Sequence, residues 1–410
     1  MAPRSPLERR RASFGPDTLL FYEEPLDLVR GDGAYVWDRE GRRYLDAYNN
    51  VPHVGHCHPR VVAAGQAQLA ALNVHSRYLN ETVTGYAERL LATLPPELDR
   101  ITFTCTGSEA NELALRMARR TSGHRGVVVS AFSYHGNSTL LAGLTTAMPT
   151  GEPFPPWARA VDLLAPGSVD RAVGELEAEG HGVAAMLLDP VLSFEGVLDL
   201  PAGMLREAIG RVRAAGGCFI ADEVQSGFGR TGRGFWGWER FGVTPDFVTM
   251  GKPMANGWPM AAVAARSEVA DAFQRDGIYF NTFAASPVGA AMGHAVLDVL
   301  ADEQRVARAE RIGEGARAAL SAISGVEAVR GAGLYLGVQL ESGTAAKRAM
   351  EAMRRAGVLV GRTGPANDVL KLRPPMCFSE ADLDMLAGAL AEAIRRPAGA
   401  RTRDPLNRPT

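Results

Sequence analysis

The sequence predicts an α/β protein in which a large domain with a mainly parallel central sheet is combined with a smaller α+β domain. Three observations indicate this fold class. Short apolar runs alternate with amphipathic helical runs over about 190 residues in the middle of the chain. These apolar runs are nearly continuous, which is typical of strands that helices cover on both faces. After about residue 290, long helices dominate and two strand-like runs follow.

The apolar runs predict six strands in the large domain, at residues 101–105, 126–130, 183–189, 218–221, 246–250 and 260–266. Helices are expected there at 109–120 and 203–215. In the smaller domain, helices are expected at 290–301, 304–323 and 345–356, and strands at 333–340 and 369–372. Two short strands flank a turn within residues 35–46.

A chain of 410 residues is too long for one ordinary core, so more than one domain is expected. We expect residues 1–50 to be an N-terminal segment that contributes to the small domain, and residues 51–290 to form the large domain. Residues 291–395 are expected to form the small domain. The last stretch, 396–410, is rich in Arg and Pro and is expected to be a disordered tail.

Composition excludes several classes of protein. An apolar fraction of 46% and a charged fraction of 22% indicate a globular chain. Because 44 Lys and Arg residues balance 46 Asp and Glu residues, neither nucleic acid nor an anionic membrane is expected as a partner. No apolar run is long enough to span a bilayer. Four scattered cysteines without a C-x-x-C pair indicate reduced thiols and a cytoplasmic location.

Two of the predicted strands end in residues suited to a charged ligand, and ligands of open α/β sheets bind beyond the carboxyl ends of the strands. Gly107 and Ser108 open a helix just after strand 101–105, so their backbone N–H groups and the hydroxyl could bind an anion. An ordinary helix cap has the same pattern. Asp222 ends strand 218–221, where a buried carboxylate needs a cation or several donors. A capping residue is the alternative.

Two further strand ends carry a lysine and an aromatic pair. Lys252 follows strand 246–250, and a partly desolvated lysine in a cleft can act as a nucleophile, although most lysines are solvated. Tyr134 and His135 follow strand 126–130, a pattern that also fits core packing. An anion site, an aromatic face, a buried carboxylate and a lysine are together what pyridoxal phosphate requires for its phosphate, ring, pyridine nitrogen and aldehyde.

The histidines near residue 55 raise the alternative of a zinc site, because His53, His56, Cys57 and His58 are all possible ligands. Adjacent residues rarely ligate one ion, and the flanking glycine and proline mark a turn. No second pair of ligands follows at a useful spacing. We therefore expect no metal site.

From about residue 27 to residue 390, the chain resembles the class-III aminotransferases, a fold-type-I family that uses pyridoxal phosphate. The most specific stretch is 219–252. There, Ile-Ala-Asp-Glu-Val-Gln-Ser-Gly-Phe-Gly-Arg-Thr-Gly at 220–232 precedes Thr-Met-Gly-Lys at 249–252.

The resemblance implies a role for each matching residue. Lys252 would bind the cofactor as a Schiff base and move the substrate's proton, and Asp222 would pair with the pyridine nitrogen. Gln225 would bind the ring hydroxyl, and Tyr134 would stack on the ring. Thr282 would reach the cofactor phosphate of the neighbouring subunit in a homodimer. The implied cofactor-binding residues are Gly107, Ser108, Tyr134, His135, Asp222, Val224, Gln225, Lys252 and Thr282.

Two positions depart from the pattern of the family and bear on the substrate. Phe194 stands where many members have a glutamate that gates a carboxylate-binding arginine, and Glu195 comes one place late, with its side chain expected to point elsewhere. Lys371 stands where members that act on α-amino acids have that arginine. A lysine lacks the bidentate fork of arginine but still attracts a phosphate or carboxylate. Arg373 lies two residues along, on the same face of a regular strand.

The stretch from Lys371 to residue 379 is similar to the phospho-lyase branch of the same family, which eliminates phosphate from phosphorylated amino alcohols such as O-phosphoethanolamine. Residues 76–79 are similar to that branch as well, which adds Arg77 and Tyr78 to Lys371 and Arg373 as expected substrate contacts.

Two reactions of a small-molecule amine therefore stay open. Transamination to a 2-oxo acid is the commoner chemistry of the family, and we place it first. Elimination of phosphate and ammonia from a phosphorylated amino alcohol is the alternative. A non-catalytic cofactor-binding subunit is a third possibility, against which the intact Lys252 and Asp222 argue.

Overall fold

A computed structural model describes residues 4–395 of the chain. In chain order the strands are β1 (Leu28–Asp32), β2 (Tyr35–Asp38), β3 (Arg43–Asp46), β4 (Arg100–Thr104), β5 (Val127–Ser130), β6 (Ala158–Val161), β7 (Ala185–Leu188), β8 (Cys218–Asp222), β9 (Phe247–Met250), β10 (Ala261–Ala265), β11 (Ala328–Ala332), β12 (Tyr335–Gln339), β13 (Val358–Leu359), β14 (Gly361–Thr363) and β15 (Val369–Leu372). The expected tail, 396–410, lies outside the described residues.

The helices are α1 (Pro6–Phe14), α2 (Pro59–Ala71), α3 (Glu81–Leu91), α4 (Gly107–Ser122), α5 (Thr139–Leu144), α6 (Ser168–Ala178), α7 (Ala202–Ala214), α8 (Ser267–Asp276), α9 (Pro287–Asp302), α10 (Arg305–Ser321), α11 (Gly343–Arg355) and α12 (Glu380–Arg395). A 3₁₀ helix covers Gly237–Phe241. Between residues 4 and 395, each helix is too short or too polar to cross a membrane.

Seven strands form the main sheet, in the order β4-β10-β9-β8-β7-β5-β6. All the pairs from β9 to β6 are parallel, which confirms the predicted fold class, and all six predicted strands are present. The strand β10 runs against the others. Its connection from β9 contains ten residues and no helix, whereas a parallel crossover needs a dozen or more.

Helices cover both faces of this sheet, as the continuous apolar runs predict. Successive residues of β7 and β8 pack on opposite sides: Met186 and Phe219 belong to one core cluster, and Leu187 and Ile220 to the other. Because a strand alternates its side chains, both sets must be apolar. Four parallel strands, β5, β7, β8 and β9, end at the same edge of the sheet.

Residues near the two ends of the chain share a smaller sheet, in the order β1-β2-β3-β13. The parallel pairing of β3 with β13 joins the N-terminal segment to residues beyond 350. The Tyr22 hydroxyl also donates to the carbonyl of Val360 at 3.0 Å. The N-terminal segment therefore contacts residues of the predicted small domain. The limits of the domains stay predictions.

Helix α4 begins at Gly107, two residues before the predicted start. Its cap is Thr106, whose hydroxyl accepts from the backbone N–H of Glu109 at 3.2 Å. The carboxylate of Glu109 accepts in return from the backbone N–H of Thr106 at 2.8 Å. This capping box fixes the first turn of a 16-residue helix, so the free N–H groups of that turn point to the carboxyl edge of the sheet.

Candidate active site

A cavity opens at the carboxyl edge of the main sheet, between the ends of β8 and β9, the start of α4 and the loops after β5 and β7. Its lining residues are Gly107, Ser108, Asn111, Tyr134, His135, Gly136, Asp189, Asp222, Val224, Gln225 and Lys252. The fold thus brings together every predicted cofactor-binding residue except Thr282. The roles assigned to these residues stay predictions.

Asp222 is a buried carboxylate held by directional hydrogen bonds. Its Oδ2 accepts from the ring Nδ1 of His135 at 2.7 Å and from the amide of Asn111 at 2.9 Å. Its Oδ1 accepts from the backbone N–H of Val224 at 3.2 Å. Among the described residues, no lysine or arginine forms a salt bridge with it. The carboxylate is therefore fixed in place while its charge lacks a strongly cationic partner.

Asn111 extends this network and was not among the predicted site residues. Its amide group donates to the backbone carbonyl of His135 at 2.7 Å as well as to Asp222. Its side-chain oxygen accepts from the hydroxyl of Thr249 at 2.6 Å. The sequence does carry a signal for it, because Asn111 lies four residues after Gly107 and so on the same face of α4.

Lys252 lies partly buried at the floor of the cavity. Burial, followed by the charge of Arg373, lowers the pKa of its amine to about 8, and the charges of Asp222 and Asp189 oppose this shift. Within residues 4–395 its Nζ forms no hydrogen bond or salt bridge with another side chain. A large fraction of such an amine is neutral near pH 8, which is what a nucleophile requires.

Lysine is rare in this chain, where three of the 44 Lys and Arg residues are lysines. Lys347 is half-exposed and pairs with Glu23 at 2.7 Å. The other two lie near the cavity, Lys371 buried and Lys252 partly buried, and the charge of Lys252 contributes to lowering the pKa of Lys371. Nearly all the cationic side chains of the chain are arginines, so the presence of two lysines near one cavity is unusual.

The start of α4 and the loop after β5 approach each other closely enough to form a cradle. A Cβ on Gly107 would lie 2.8 Å from a methyl of Val224, and one on Gly136, where φ is +150°, would lie 2.7 Å from the hydroxyl oxygen of Ser108. That oxygen accepts from the backbone N–H of Asn137 at 3.2 Å. Backbone N–H groups and a hydroxyl are the donors that a phosphate takes at a helix N-terminus.

Gln225 is tied into the wall beside the cavity. Its side-chain oxygen accepts from the Tyr335 hydroxyl at 3.1 Å and from the guanidinium of Arg373. Its amide donates to Ser193 at 2.9 Å. The guanidinium of Arg373 also stacks on Tyr48, 4.4 Å from the ring centroid. Arg373, which the sequence predicts to contact the substrate, therefore already contacts Gln225 and Tyr48.

Lys371 is buried in β15, where its cross-strand neighbours are Gly337 and Gly361. Burial, followed by the nearby charge of Arg373, holds the pKa of Lys371 well below its usual range, while Asp189 opposes the shift. Glu195 lies outside the cavity lining and accepts from the hydroxyl of Ser130, which is the different direction that the sequence predicts for it.

Three predicted residues lie away from the Lys252 cavity of their own chain. The guanidinium of Arg77 stacks on Phe280, 3.8 Å from the ring centroid, and Tyr78 is 63% exposed beside His75. Thr282 is exposed and lines a second cavity, which shares Ser108 with the first. All three residues lie in or beside the surface segment 278–283.

The three histidines that raised the zinc alternative each have another partner. The Nε2 atoms lie 2.8 Å from the carbonyl of Phe228 for His53, 2.7 Å from Asp46 for His56 and 3.3 Å from Glu303 for His58. Among residues 4–395, no three His, Cys, Asp or Glu side chains form a group that could hold a metal ion.

The donor set of the cavity fits pyridoxal phosphate. The cradle at Gly107 and Ser108 could hold the phosphate, Asp222 the pyridine nitrogen, Tyr134 a face of the ring and Lys252 the aldehyde carbon. The ring Nε2 of His135 is buried without a hydrogen-bond partner among the described residues, as expected where a polar ligand belongs.

The family model described as aminotransferase class-III matches residues 22–394. The chain belongs to the class-III aminotransferase family. Members of this family are pyridoxal-phosphate-dependent enzymes, and lyases occur among them. Family membership thus implies the same cofactor that the donor set of the cavity fits.

Relatives of this class-III chain carry two different reactions in their names. The alanine–glyoxylate aminotransferase 2-like protein of Drosophila melanogaster is 36% identical, over 92% of this chain and 84% of its own. Ethanolamine-phosphate phospho-lyase homolog 1 of Caenorhabditis elegans is 34% identical, over 95% and 92%.

Solved structures of the family show the same division. A phospholyase from Arthrobacter in complex with phosphoethanolamine is 45% identical, with a TM-score of 0.93 over 96% of this chain and 100% of its own. An ornithine aminotransferase from Toxoplasma gondii is 25% identical, with a TM-score of 0.82 over 96% and 98%.

The lowered pKa of Lys252 predicts unusual reactivity in the cofactor-free protein. At pH 8 roughly half of its amines are neutral, against less than about 1% for an ordinary lysine. We expect its acylation rate to level off between about pH 9 and pH 10, because roughly nine-tenths of the amine or more is neutral there. The half-exposed Lys347 serves as an internal control in the same sample. Peptide mass spectrometry measures both, and parallel profiles for the two lysines would contradict the prediction.

The Asn111 network predicts a second effect. Asn111→Ala removes a donor to Asp222, and losing a hydrogen bond to a charged group costs about 1.5–3 kcal/mol. We expect the Kd of pyridoxal phosphate for the cofactor-free protein to rise about tenfold or more, measured by absorbance titration. Asn73→Ala, which alters an exposed amide bonded to Ser286, is the control. An unchanged Kd for Asn111→Ala would show that Asp222 needs no such support.

Proposed function

We propose that this protein is a pyridoxal-phosphate-dependent phospho-lyase that releases phosphate and ammonia from a phosphorylated amino alcohol such as O-phosphoethanolamine. The likeness to the Arthrobacter phospholyase supports this reaction most directly, since 45% identity extends over nearly the whole chain and that protein binds phosphoethanolamine. From the sequence alone, transamination comes first and elimination second, and this proposal places elimination first.

The charge distribution of the site supports a doubly anionic substrate. Lys252, Lys371 and Arg373 lie close enough together that the charge of Arg373 lowers the pKa of both lysines. Since like charges in a poorly solvated place repel one another, an anion bound among them is strongly stabilised. A phosphate dianion supplies two negative charges there, where a carboxylate supplies one.

In the proposed reaction, the chain's residues position the substrate and move one proton. Bound pyridoxal phosphate supplies an electron sink for the carbon next to the amine. Lys252 Nζ would remove the proton from that carbon, and Asp222 would hold the pyridine nitrogen in its protonated form. Phosphate then leaves the neighbouring carbon with the C–O bonding electrons. With one water added, O-phosphoethanolamine yields acetaldehyde, ammonia and phosphate.

We also propose the homodimer that the sequence predicts, with Thr282 at the neighbouring subunit's cofactor phosphate. Exposed apolar side chains flank it, among them Leu79, Ile278 and Phe283, and a patch of this kind marks an interaction surface. Because Arg77 stacks on Phe280 near Thr282, we place Arg77 and Tyr78 in that same neighbouring site. The cytoplasmic location stays a prediction.

Transamination is the second candidate, favoured by a specific observation. The alanine–glyoxylate aminotransferase 2-like relative is 36% identical over 92% of this chain. Both reactions need the same lysine and carboxylate, so Lys252 and Asp222 do not separate them. They differ in whether phosphate leaves the substrate or stays attached to the carbonyl product.

The elimination predicts sustained turnover in the absence of a 2-oxo acid. Holoenzyme mixed with O-phosphoethanolamine should release phosphate and ammonia in equal amounts over many turnovers, because the cofactor is regenerated in each cycle. A coupled phosphate assay and an ammonia assay measure both. Release of neither, with conversion of one equivalent of the cofactor to its amine form, would instead indicate a transaminase.

The dimer arrangement predicts complementation between two inactive variants. Lys252→Ala removes the nucleophile, and Thr282→Glu puts a negative charge beside the cofactor phosphate. If Thr282 acts across the interface, each mixed dimer has one intact site. Random reassembly of equal amounts should then restore about a quarter of the wild-type activity, since half of the dimers are mixed. No recovery after mixing, with mixed dimers confirmed by mass spectrometry, would place Thr282 in its own subunit's site.

A further inference from the structure

The buried amine of Lys371 lies over an aromatic ring. Its Nζ lies 4.4 Å from the ring centroid of Phe194 and 5.9 Å from that of Tyr335. It forms no hydrogen bond or salt bridge within residues 4–395. A ring attracts a cation through its quadrupole, which is weaker than the attraction of a carboxylate at the same distance. The Nζ of Lys371 is therefore left free to form a hydrogen bond with a bound anion.

Two carboxyl groups lie near Lys371, but their hydrogen bonds hold them elsewhere. Asp189 accepts from the backbone N–H groups of Val191 at 3.0 Å and Ser193 at 3.2 Å, and from the Ser193 hydroxyl. Glu195 follows Phe194 directly, yet accepts from Ser130 at the end of β5. Burial raises the pKa of Glu195 to about 7, so this group is also a weak source of negative charge.

The position of Phe194 is imposed by a strained and bonded segment. Leu192 and Val197, at φ of 46° and 58°, bound it in the left-handed region, which a β-branched residue such as Val197 rarely adopts. The N–H of Val197 closes the segment on the carbonyl of Leu192 at 3.0 Å. The carbonyl of Phe194 accepts from the N–H of Gly364 at 3.0 Å. The backbone therefore holds the ring where it is.

The ring of Phe194 also connects Lys371 to the cofactor cavity. Its centroid lies 5.4 Å from that of Tyr134, which lines the cavity with Lys252. A substrate whose amine reaches Lys252 thus meets Phe194 and Lys371 at its other end. The residue at position 194 therefore decides whether this end of the substrate meets Lys371 alone or Lys371 paired with a carboxylate.

We propose that Phe194 determines the substrate class of this site, because within residues 4–395 it leaves Lys371 without a hydrogen-bonded carboxylate, so that the phosphate dianion of the substrate takes that place. A carboxylate at position 194 would neutralise Lys371, and an anionic substrate would first have to displace it. The inference rests on the proposed function for the identity of the anion. It concerns the charge balance of the site and not the steps of the reaction.

The test is a matched pair of variants, Phe194→Glu and Phe194→Gln, which lose the same ring and differ in one charge. Calorimetry measures the affinity of each cofactor-loaded enzyme for inorganic phosphate. We expect the Glu variant to bind phosphate about tenfold or more weakly than the Gln variant, since a hydrogen bond to the buried, charged Lys371 is worth that much. Cofactor absorbance of both variants controls for folding.

Lys371→Met shows whether the charge acts through Lys371. In that background the two variants should bind phosphate equally, because no ammonium remains for a carboxylate to neutralise. If Phe194→Glu and Phe194→Gln bind phosphate equally weakly while Lys371 is present, the proposal is wrong. It is also wrong if their affinities still differ in the Lys371→Met background.

The two proposals fail in different ways. If the wild-type holoenzyme releases no phosphate from O-phosphoethanolamine while the Glu and Gln variants differ as expected, the lyase reaction is wrong and the role of Phe194 stands. If the wild-type enzyme releases phosphate and the variants do not differ, the lyase stands and the role of Phe194 is wrong.

Discussion

The site depends on ionisable side chains that are buried without an oppositely charged side chain in hydrogen-bond contact. Asp222 is held by an imidazole and by neutral donors, and the ammonium groups of Lys252 and Lys371 lack any carboxylate partner within the described residues. Such groups are costly to bury unless a ligand completes them. Under the proposed function, the pyridine nitrogen of the cofactor completes Asp222 and the phosphate of the substrate completes Lys371. Burial and the charge of Arg373 lower the pKa of Lys252 toward the working range of a nucleophile.

The parallel sheet makes this arrangement possible because it brings the ends of β5, β7, β8 and β9 to one edge. Each strand is apolar on both faces, so the polar groups gather where the strands end and the core stops. The first turn of α4 adds backbone donors at the same edge, and Asn111, one turn later, ties that helix to Asp222 and β9. Cofactor site and core packing are therefore set by the same elements.

Much of the cavity could be predicted from the sequence, since Gly107, Asp222 and Lys252 all follow continuous apolar strands. Asn111 could have been added from its helical spacing. The contact of Phe194 with Lys371 could not, because it joins two segments through a strained loop that no local pattern indicates. Arg77 lies beside Phe280, away from the cavity of its own chain, and its expected contact with the substrate stays a prediction. The sequence of one chain does not tell in which subunit's site such a residue acts. The reversed strand β10 follows from a short connection whose length was visible in the sequence.

The choice between elimination and transamination depends on what the buried cations do to the substrate's phosphate. The central claim is that these cations bind the substrate's phosphate group at the place where it is eliminated. Its most direct measurement gives the holoenzyme O-phosphoethanolamine and pyruvate together and follows phosphorus by NMR and alanine by chromatography. The account predicts that inorganic phosphate and ammonia form in equal amounts without alanine. Formation of alanine, with phosphorus still bonded to carbon through oxygen, would contradict it.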